Sequence, residues 1–210
     1  MLELNNLFEV SQHIDDLKVI LFDMDDTLYS EKEYVFSGYQ QIAKKFPQIK
    51  DMSDQLWQAF LAKKPAIDEV LAQNNLLTPK NKELCLQTYR FQKPTIHLYP
   101  EAKQLLESLK AKNFKLGLIT DGRIEGQSAK IEALGLAKYF DKILITDALG
   151  GINFRKPNPL AFEKMQQYFG YRFEQMCYIG DNLNKDFIAP SKLKMRCIYF
   201  KNKDSLYYKK

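Results

Sequence analysis

The chain has 210 residues, 45% of them hydrophobic, which suits one buried α/β core with an inserted unit. No segment approaches the roughly 20 apolar residues of a membrane-spanning helix, and Met1 to Asn6 lacks the basic and apolar regions of a secretory leader, so we expect a soluble cytoplasmic protein with no membrane partner. The net charge of +5 is local: from Ser191 to Lys210 seven basic residues face only Asp204, a net of +6 that leaves −1 for the rest.

That basic end reads as solvated and partly frayed. A nucleic-acid footprint needs a continuous basic patch and aromatic platforms, and Tyr207 and Tyr208 alone do not supply them. Cys85, Cys177 and Cys197 are odd in number and form no Cys-x-x-Cys spacing, which predicts reduced core thiols rather than disulfides or a zinc site. With only His13 and His97 present, acid–base chemistry falls to carboxylates.

In chain order, Leu4, Leu7, Val10, Ile14 and Leu17 recur at three- and four-residue steps and predict a short amphipathic N-terminal helix. Leu17 to Phe22 is an apolar run that fits a strand buried on both faces of a parallel sheet. From about Glu31 to Lys93 the periodicity is helical, and Pro47, Pro65 and Pro79 divide it into about four helices. Beyond Pro94 the pattern alternates: helix from Glu101 to Lys112, strand from Lys115 to Ile119, helix from Ile124 to Leu134, strand from Lys142 to Ile145. Helix from Asn158 to Tyr168, strand from Gln175 to Ile179, short helix from Asp186 to Leu193 and strand from Arg196 to Phe200 complete it. This alternation predicts an α/β fold: a Rossmann-like parallel sheet sandwiched by helices, with a helical insert after the first strand of the repeat.

Four polar clusters each follow a predicted strand, which brings them to the carboxyl edge of the sheet, where such folds bind ligands. In Asp23-Met24-Asp25-Asp26-Thr27, two carboxylates one residue apart leave a buried strand; a hard cation such as Mg²⁺ would relieve their repulsion, and a plain turn or cap is the other reading. An EF-hand loop is excluded, because its required glycine would fall at Leu28 and it should follow a helix. Thr120-Asp121-Gly122 places a hydroxyl and backbone amides ahead of a helix, as an anion site or an N-cap does. Lys156, in Arg155-Lys156-Pro157-Asn158-Pro159, puts a cation before a helix, which is also common at surface turns. Gly180-Asp181, followed by Asp186, adds two acids suited to metal binding.

These four motifs, in this order and each behind a strand, resemble those of the haloacid dehalogenase superfamily in its aspartate-nucleophile phosphatase branch. The resemblance covers about Leu17 to Phe22 and Pro94 to Phe200, and implies a core of residues 1–30 and 94–210 with a type 1 helical cap at 31–93. It further implies Asp23 as the nucleophile that forms an aspartyl-phosphate, Asp25 as the proton carrier, and Thr120 with the amides around Asp121 and Gly122 as holder of the phosphoryl oxygens. Lys156 would be the counter-charge, and Mg²⁺ would be bound by Asp23, the Asp25 carbonyl, Asp181 and Asp186. In that scheme Asp25 needs a pKa nearer neutrality than a free aspartate, Mg²⁺ and Lys156 alone oppose four acids, and Asp26 has no task beyond a local structural one.

Asp25 also favours phosphate over carbon–halogen chemistry, since a halide leaving group needs no proton. The implied activity is Mg²⁺-dependent hydrolysis of a small phosphorylated metabolite of the nucleotide or sugar phosphate class. A phosphomutase with the same intermediate and a non-catalytic interaction module on the same fold stay open, as does the oligomeric state. Tyr34, Trp57, Arg90, Phe91 and Lys93 are the cap residues that could face a substrate, although aromatics at helical spacing are more often core.

Overall fold

The computed structural model describes residues 1–206. Its contacts separate two units, one made of Met1–Glu31 with the chain from His97 onward, the other of Lys32–Ile96.

The first unit is built on a six-stranded sheet among the described residues. Its strands are β1 (Leu2–Leu4), β2 (Val19–Phe22), β3 (Lys115–Thr120), β4 (Lys142–Ile145), β5 (Met176–Gly180) and β6 (Arg196–Phe200), in the order β1-β6-β5-β2-β3-β4. Every pairing is parallel. The apolar run of β2 is buried at all four residues because it lies between β3 and β5 with helices over the sheet faces. One core cluster packs Val19, Leu21, Ile119 and Tyr178 against Ala161, Phe162 and Met165 of the helix Leu160–Phe169. Truncating a fully buried phenylalanine such as Phe162 to alanine costs about 3–5 kcal/mol.

The N-terminus departs from the expected helix. Leu2–Leu4 is a strand beside β6, and Leu7–Gln12 is a 3₁₀ helix whose start is capped by the Asn6 side chain, which accepts from the Phe8 amide at 2.9 Å. The apolar residues read from the sequence are all buried. A 3₁₀ turn of three residues buries that spacing as well as an α-helix does, while the edge of β6 offers backbone partners to the residues before it.

Within the basic end, Arg196 begins the expected strand and pairs with Asp16, and Lys201 pairs with Glu3, all four side chains partly solvated. Tyr207, Tyr208, Lys209 and Lys210 lie outside the described residues. The remaining α-helices of this unit among the described residues are Pro100–Ala111, Ile124–Ala133 and Ile188–Lys192. The helix expected from Asn158 starts at Leu160, whose amide donates to the Asn158 side chain at 2.9 Å, and that expected from Asp186 starts at Ile188, after a turn in which the Asp186 amide donates to the Asn182 carbonyl. All three cysteines are buried and unbridged.

The second unit holds four helices, Glu31–Ala43, Met52–Leu61, Ala66–Gln73 and Pro79–Arg90, the first of them beginning one residue ahead of the unit boundary. Its core joins Val35, Tyr39, Ile42, Leu56, Val70, Leu71 and Cys85. Trp57 stacks on Phe60 at 5.3 Å and Tyr34 meets Tyr89 edge-on at 5.7 Å, so both are engaged in aromatic packing; Phe91 is exposed. No helix of the described residues is long and apolar enough to cross a membrane.

Candidate active site

The sheet register assembles the site. Phe22 is paired with Ile179 on one side and Leu118 on the other, so the chain beyond β2 runs alongside the ends of β5 and β3. The Asp23 amide donates to the Ile179 carbonyl at 2.8 Å, which fixes Asp23 as the first residue past the strand. Carboxylate oxygens of Asp23, Asp181 and Asp186 lie within 4.8 Å of one another, and all three residues are buried. Gly180 allows this closeness: a Cβ there would stand 2.5 Å from Asp186 Oδ2.

Lys156 is fully buried at the centre of these acids. Its Nζ donates to Asp23 Oδ1 and, at 2.8 Å, to the Tyr178 hydroxyl. Asp186 Oδ1 lies 2.8 Å away as an ion pair without hydrogen-bond alignment. Burial works against its charge, yet Asp186 and Asp23 outweigh that effect and keep the ammonium well above its ordinary pKa. The backbone that carries it is pinned twice: Arg155 grips Asp147 through two bonds of 2.6 and 2.7 Å, and the Lys156 amide donates to Asp121 Oδ1 at 3.1 Å.

Asp25 stands in a different setting. Its Oδ1 accepts from Lys130 Nζ at 2.6 Å and the Tyr29 hydroxyl at 2.5 Å, and its Oδ2 accepts from Gln127 Nε2 at 2.8 Å. Gln127 Nε2 also donates to Thr120 Oγ1 at 2.5 Å, which links the second motif to the first. The expected upward pull on Asp25 is reversed. Burial raises its pKa, but the Lys130 charge and the bonds from Lys130, Tyr29 and Gln127 outweigh it and hold the carboxyl below the ordinary aspartate value.

The second-motif residues divide in use. The Thr120 hydroxyl meets Gln127, whereas the Asp121 carboxylate serves as a bracket that accepts from Thr146 Oγ1 at 2.9 Å and pairs with Lys185 Nζ at 3.2 Å. Gly122 has φ 145°, in a region that disfavours side chains, and a Cβ there would come within 3.0 Å of the Gln127 side chain. Asp26, also at positive φ, is tied down on all sides: Oδ1 accepts from the Glu31 amide and Oδ2 from the Leu206 amide, each at 2.8 Å, and its carbonyl accepts from Asn202 Nδ2 at 2.7 Å. Ser205 donates to Asp181 Oδ2 at 2.6 Å.

All eight residues singled out from the sequence thus gather at one sheet edge. Sequence reasoning missed Gln127, Lys130, Tyr178, Lys185 and Ser205. It therefore undercounted the cations, since Lys130 and Lys185 join Lys156 beside the acids. The available signal was weak: Gln127 and Lys130 are three apart on a helix that follows Thr120, a spacing that puts both on one face.

Carboxylates and a buried lysine converging past the central strands of a parallel sheet give a Rossmann-like α/β fold with a charged site at the carboxyl edge of the sheet. The chain matches haloacid dehalogenase-like hydrolases over residues 20–200, and it belongs to that family. It is 29% identical over 200 residues to a glyceraldehyde 3-phosphate phosphatase of Methanocaldococcus jannaschii, covering 84% of this chain and 81% of that one. It is likewise 29% identical over 185 residues to a phosphoglycolate phosphatase of Vibrio parahaemolyticus, covering 80% and 77%. Among solved structures, the HAD-hydrolase YfnB of Bacillus subtilis, bound to magnesium, superposes with a TM-score of 0.64 at 21% identity, covering 87% of this chain and 86% of that one.

Proposed function

We propose that this hydrolase is a Mg²⁺-dependent phosphatase that cleaves a small phosphate monoester of the sugar phosphate class through an aspartyl-phosphate on Asp23. The observation that carries the reading is the pairing of two unlike acids: Asp23, buried against Lys156 and next to two further carboxylates, and Asp25, separately held by Lys130, Tyr29 and Gln127. Of the substrates named for relatives, glyceraldehyde 3-phosphate is a triose phosphate and phosphoglycolate a phosphorylated hydroxy acid, both small alkyl phosphate monoesters.

The residues fit a divalent cation. Burial and the neighbouring acids push Asp23 up to about 7 despite Lys156, and push Asp181 up to about 8, as expected of carboxylates that await a positive charge. Asp23, Asp181 and Asp186 would hold Mg²⁺ with the main-chain carbonyl of Asp25. Bound there, it would keep these acids ionised and offset the charge of the phosphoryl group.

In the first half of the reaction Asp23 attacks phosphorus, the bond to the leaving oxygen breaks, and that oxygen takes a proton from Asp25. The substrate dianion, arriving beside Asp25, raises its proton affinity for this task. In the second half the ionised Asp25 takes a proton from water, whose oxygen attacks phosphorus and frees Asp23 and inorganic phosphate. Thr120 and the amides at Asp121 and Gly122 hold the nonbridging oxygens, and Lys156 steadies charge on Asp23 throughout. Residues 31–93 act as the cap that selects the substrate.

The test is a panel of phosphate esters with and without Mg²⁺, scoring phosphate release against substrate loss. Equal rates for a small sugar phosphate or phosphoglycolate support the reading. An isomerised phosphosugar without free phosphate would make the chain a mutase, and inertness toward the whole panel would leave a binding module.

A further inference from the structure

The bonds around Asp25 can be counted. A carboxylate offers about four lone-pair sites. On Oδ1 both are taken, by Lys130 Nζ and the Tyr29 hydroxyl, and on Oδ2 one is taken by Gln127 Nε2. Among the described residues no other donor reaches this side chain, which stays 18% exposed. One lone pair on Oδ2 therefore remains for a proton in transit.

Gln127 fixes a second direction. An amide facing a carboxylate must present its N–H₂, so both of its hydrogens are assigned, one to Asp25 Oδ2 and one to Thr120 Oγ1. Thr120 accepts there, and its own hydroxyl hydrogen is left to donate to an anion. Room for Gln127 depends on Gly122, where a Cβ would come within 3.0 Å of it. Lys130 follows at the i+3 position of the same helix, its side chain only 6% exposed.

We infer that Gln127 and Lys130 are positioning residues for the reaction, leaving Oδ2 of Asp25 as the single proton-transfer atom and turning the Thr120 hydroxyl toward the phosphoryl oxygens. This rests on the phosphatase reading. Lys130 and Gln127 act through Asp25 and Thr120 and need not touch the substrate. A general acid matters most when the leaving group is a poor one, so loss of this positioning falls unevenly across substrates. An alkyl oxygen needs its proton as the bond breaks; p-nitrophenolate leaves without one.

The experiment measures kcat/KM of wild type, Lys130→Met, Gln127→Met and Lys130→Arg on p-nitrophenyl phosphate and on the best alkyl phosphate of the panel. For both methionine variants we expect the alkyl reaction to fall about tenfold or more beyond the aryl reaction, with Lys130→Arg recovering most of the difference. Circular dichroism and Mg²⁺-induced thermal shift confirm that each variant is folded and binds metal; if Lys130→Met does not fold, Gln127→Met decides alone. Equal losses on the two substrates would overturn the inference and leave the phosphatase reading standing. A wild-type protein that releases phosphate from neither ester would overturn both.

Discussion

Ser205 donates a 2.6 Å hydrogen bond to Asp181 Oδ2, so it orients an acid 24 positions earlier whose carboxylate lies within 4.8 Å of those of Asp23 and Asp186. Outer partners of this kind fix ligand direction, and their loss lowers metal affinity by about 10- to 100-fold. Ser205→Ala should therefore weaken Mg²⁺ binding by at least about tenfold, read by calorimetric titration, while turnover at saturating Mg²⁺ falls far less. Unchanged Mg²⁺ affinity would show that the bond does not matter to the site.

Lys156 bears on both Asp23 and Asp186. Removing one such preorganised charge costs about 2.7–4 kcal/mol at the transition state, so Lys156→Ala should reduce kcat by at least about a hundredfold. Steady-state kinetics on the best substrate checks this. Near-normal turnover would remove Lys156 from the chemistry.

Asp26 predicts a stability effect instead. Its carboxylate satisfies two part-buried backbone amides, from Glu31 and Leu206, and its backbone sits at φ 55°. Asp26→Ala leaves both amides unpaired and should cost about 2 kcal/mol or more in urea unfolding. Asp26→Asn keeps one accepting oxygen and tolerates the backbone angle, so it should fall between alanine and wild type. An alanine variant as stable as wild type would contradict this account.

The pair between Arg196 and Asp16 gives a pH dependence of known sign. The guanidinium bonds both carboxylate oxygens, at 2.6 and 2.7 Å, and lowers the Asp16 pKa. A depressed folded-state pKa means the contribution is complete above the unfolded value of about 3.9 and is lost as pH falls through the folded one. Asp16 is largely exposed, so the effect is small and weakens with salt. Comparing Asp16→Asn with wild type by urea midpoint from about pH 6 down to about pH 3, the difference should shrink as the solution becomes acidic. A difference that grows toward low pH would refute the assignment.

The fold was legible wherever an apolar run ended abruptly in polar residues. Lys142–Ile145 and Arg196–Phe200 have the bounds read from the sequence, and Asp23, Thr120 and Asp181 were visible because each stands at the end of such a run, whereas Lys156 lies beyond two 3₁₀ turns after β4 and was visible only by its place before a proline and a helix. The partners were not legible. Lys130 on a helix looks like any solvated lysine until the fold folds it against Asp25, and Ser205 lies among charged residues of a stretch that read as frayed. The Asp25 pKa went the wrong way for the same reason: its setting is governed by residues about a hundred positions away, which nearby spacing does not encode.

The anchoring of Asp26 and Asp181 by Asn202, Ser205 and Leu206 has a consequence for biosynthesis. Chains emerge from the ribosome N-terminus first, and contacts spanning this much sequence form late. A nascent chain exposed as far as Phe200 would already carry every acid and lysine of the site, yet the loop after β2 and the Asp181 carboxylate would still lack their last anchors. Competence should therefore arrive abruptly, with the emergence of a handful of residues beyond the final strand, rather than accumulate as the sheet is made.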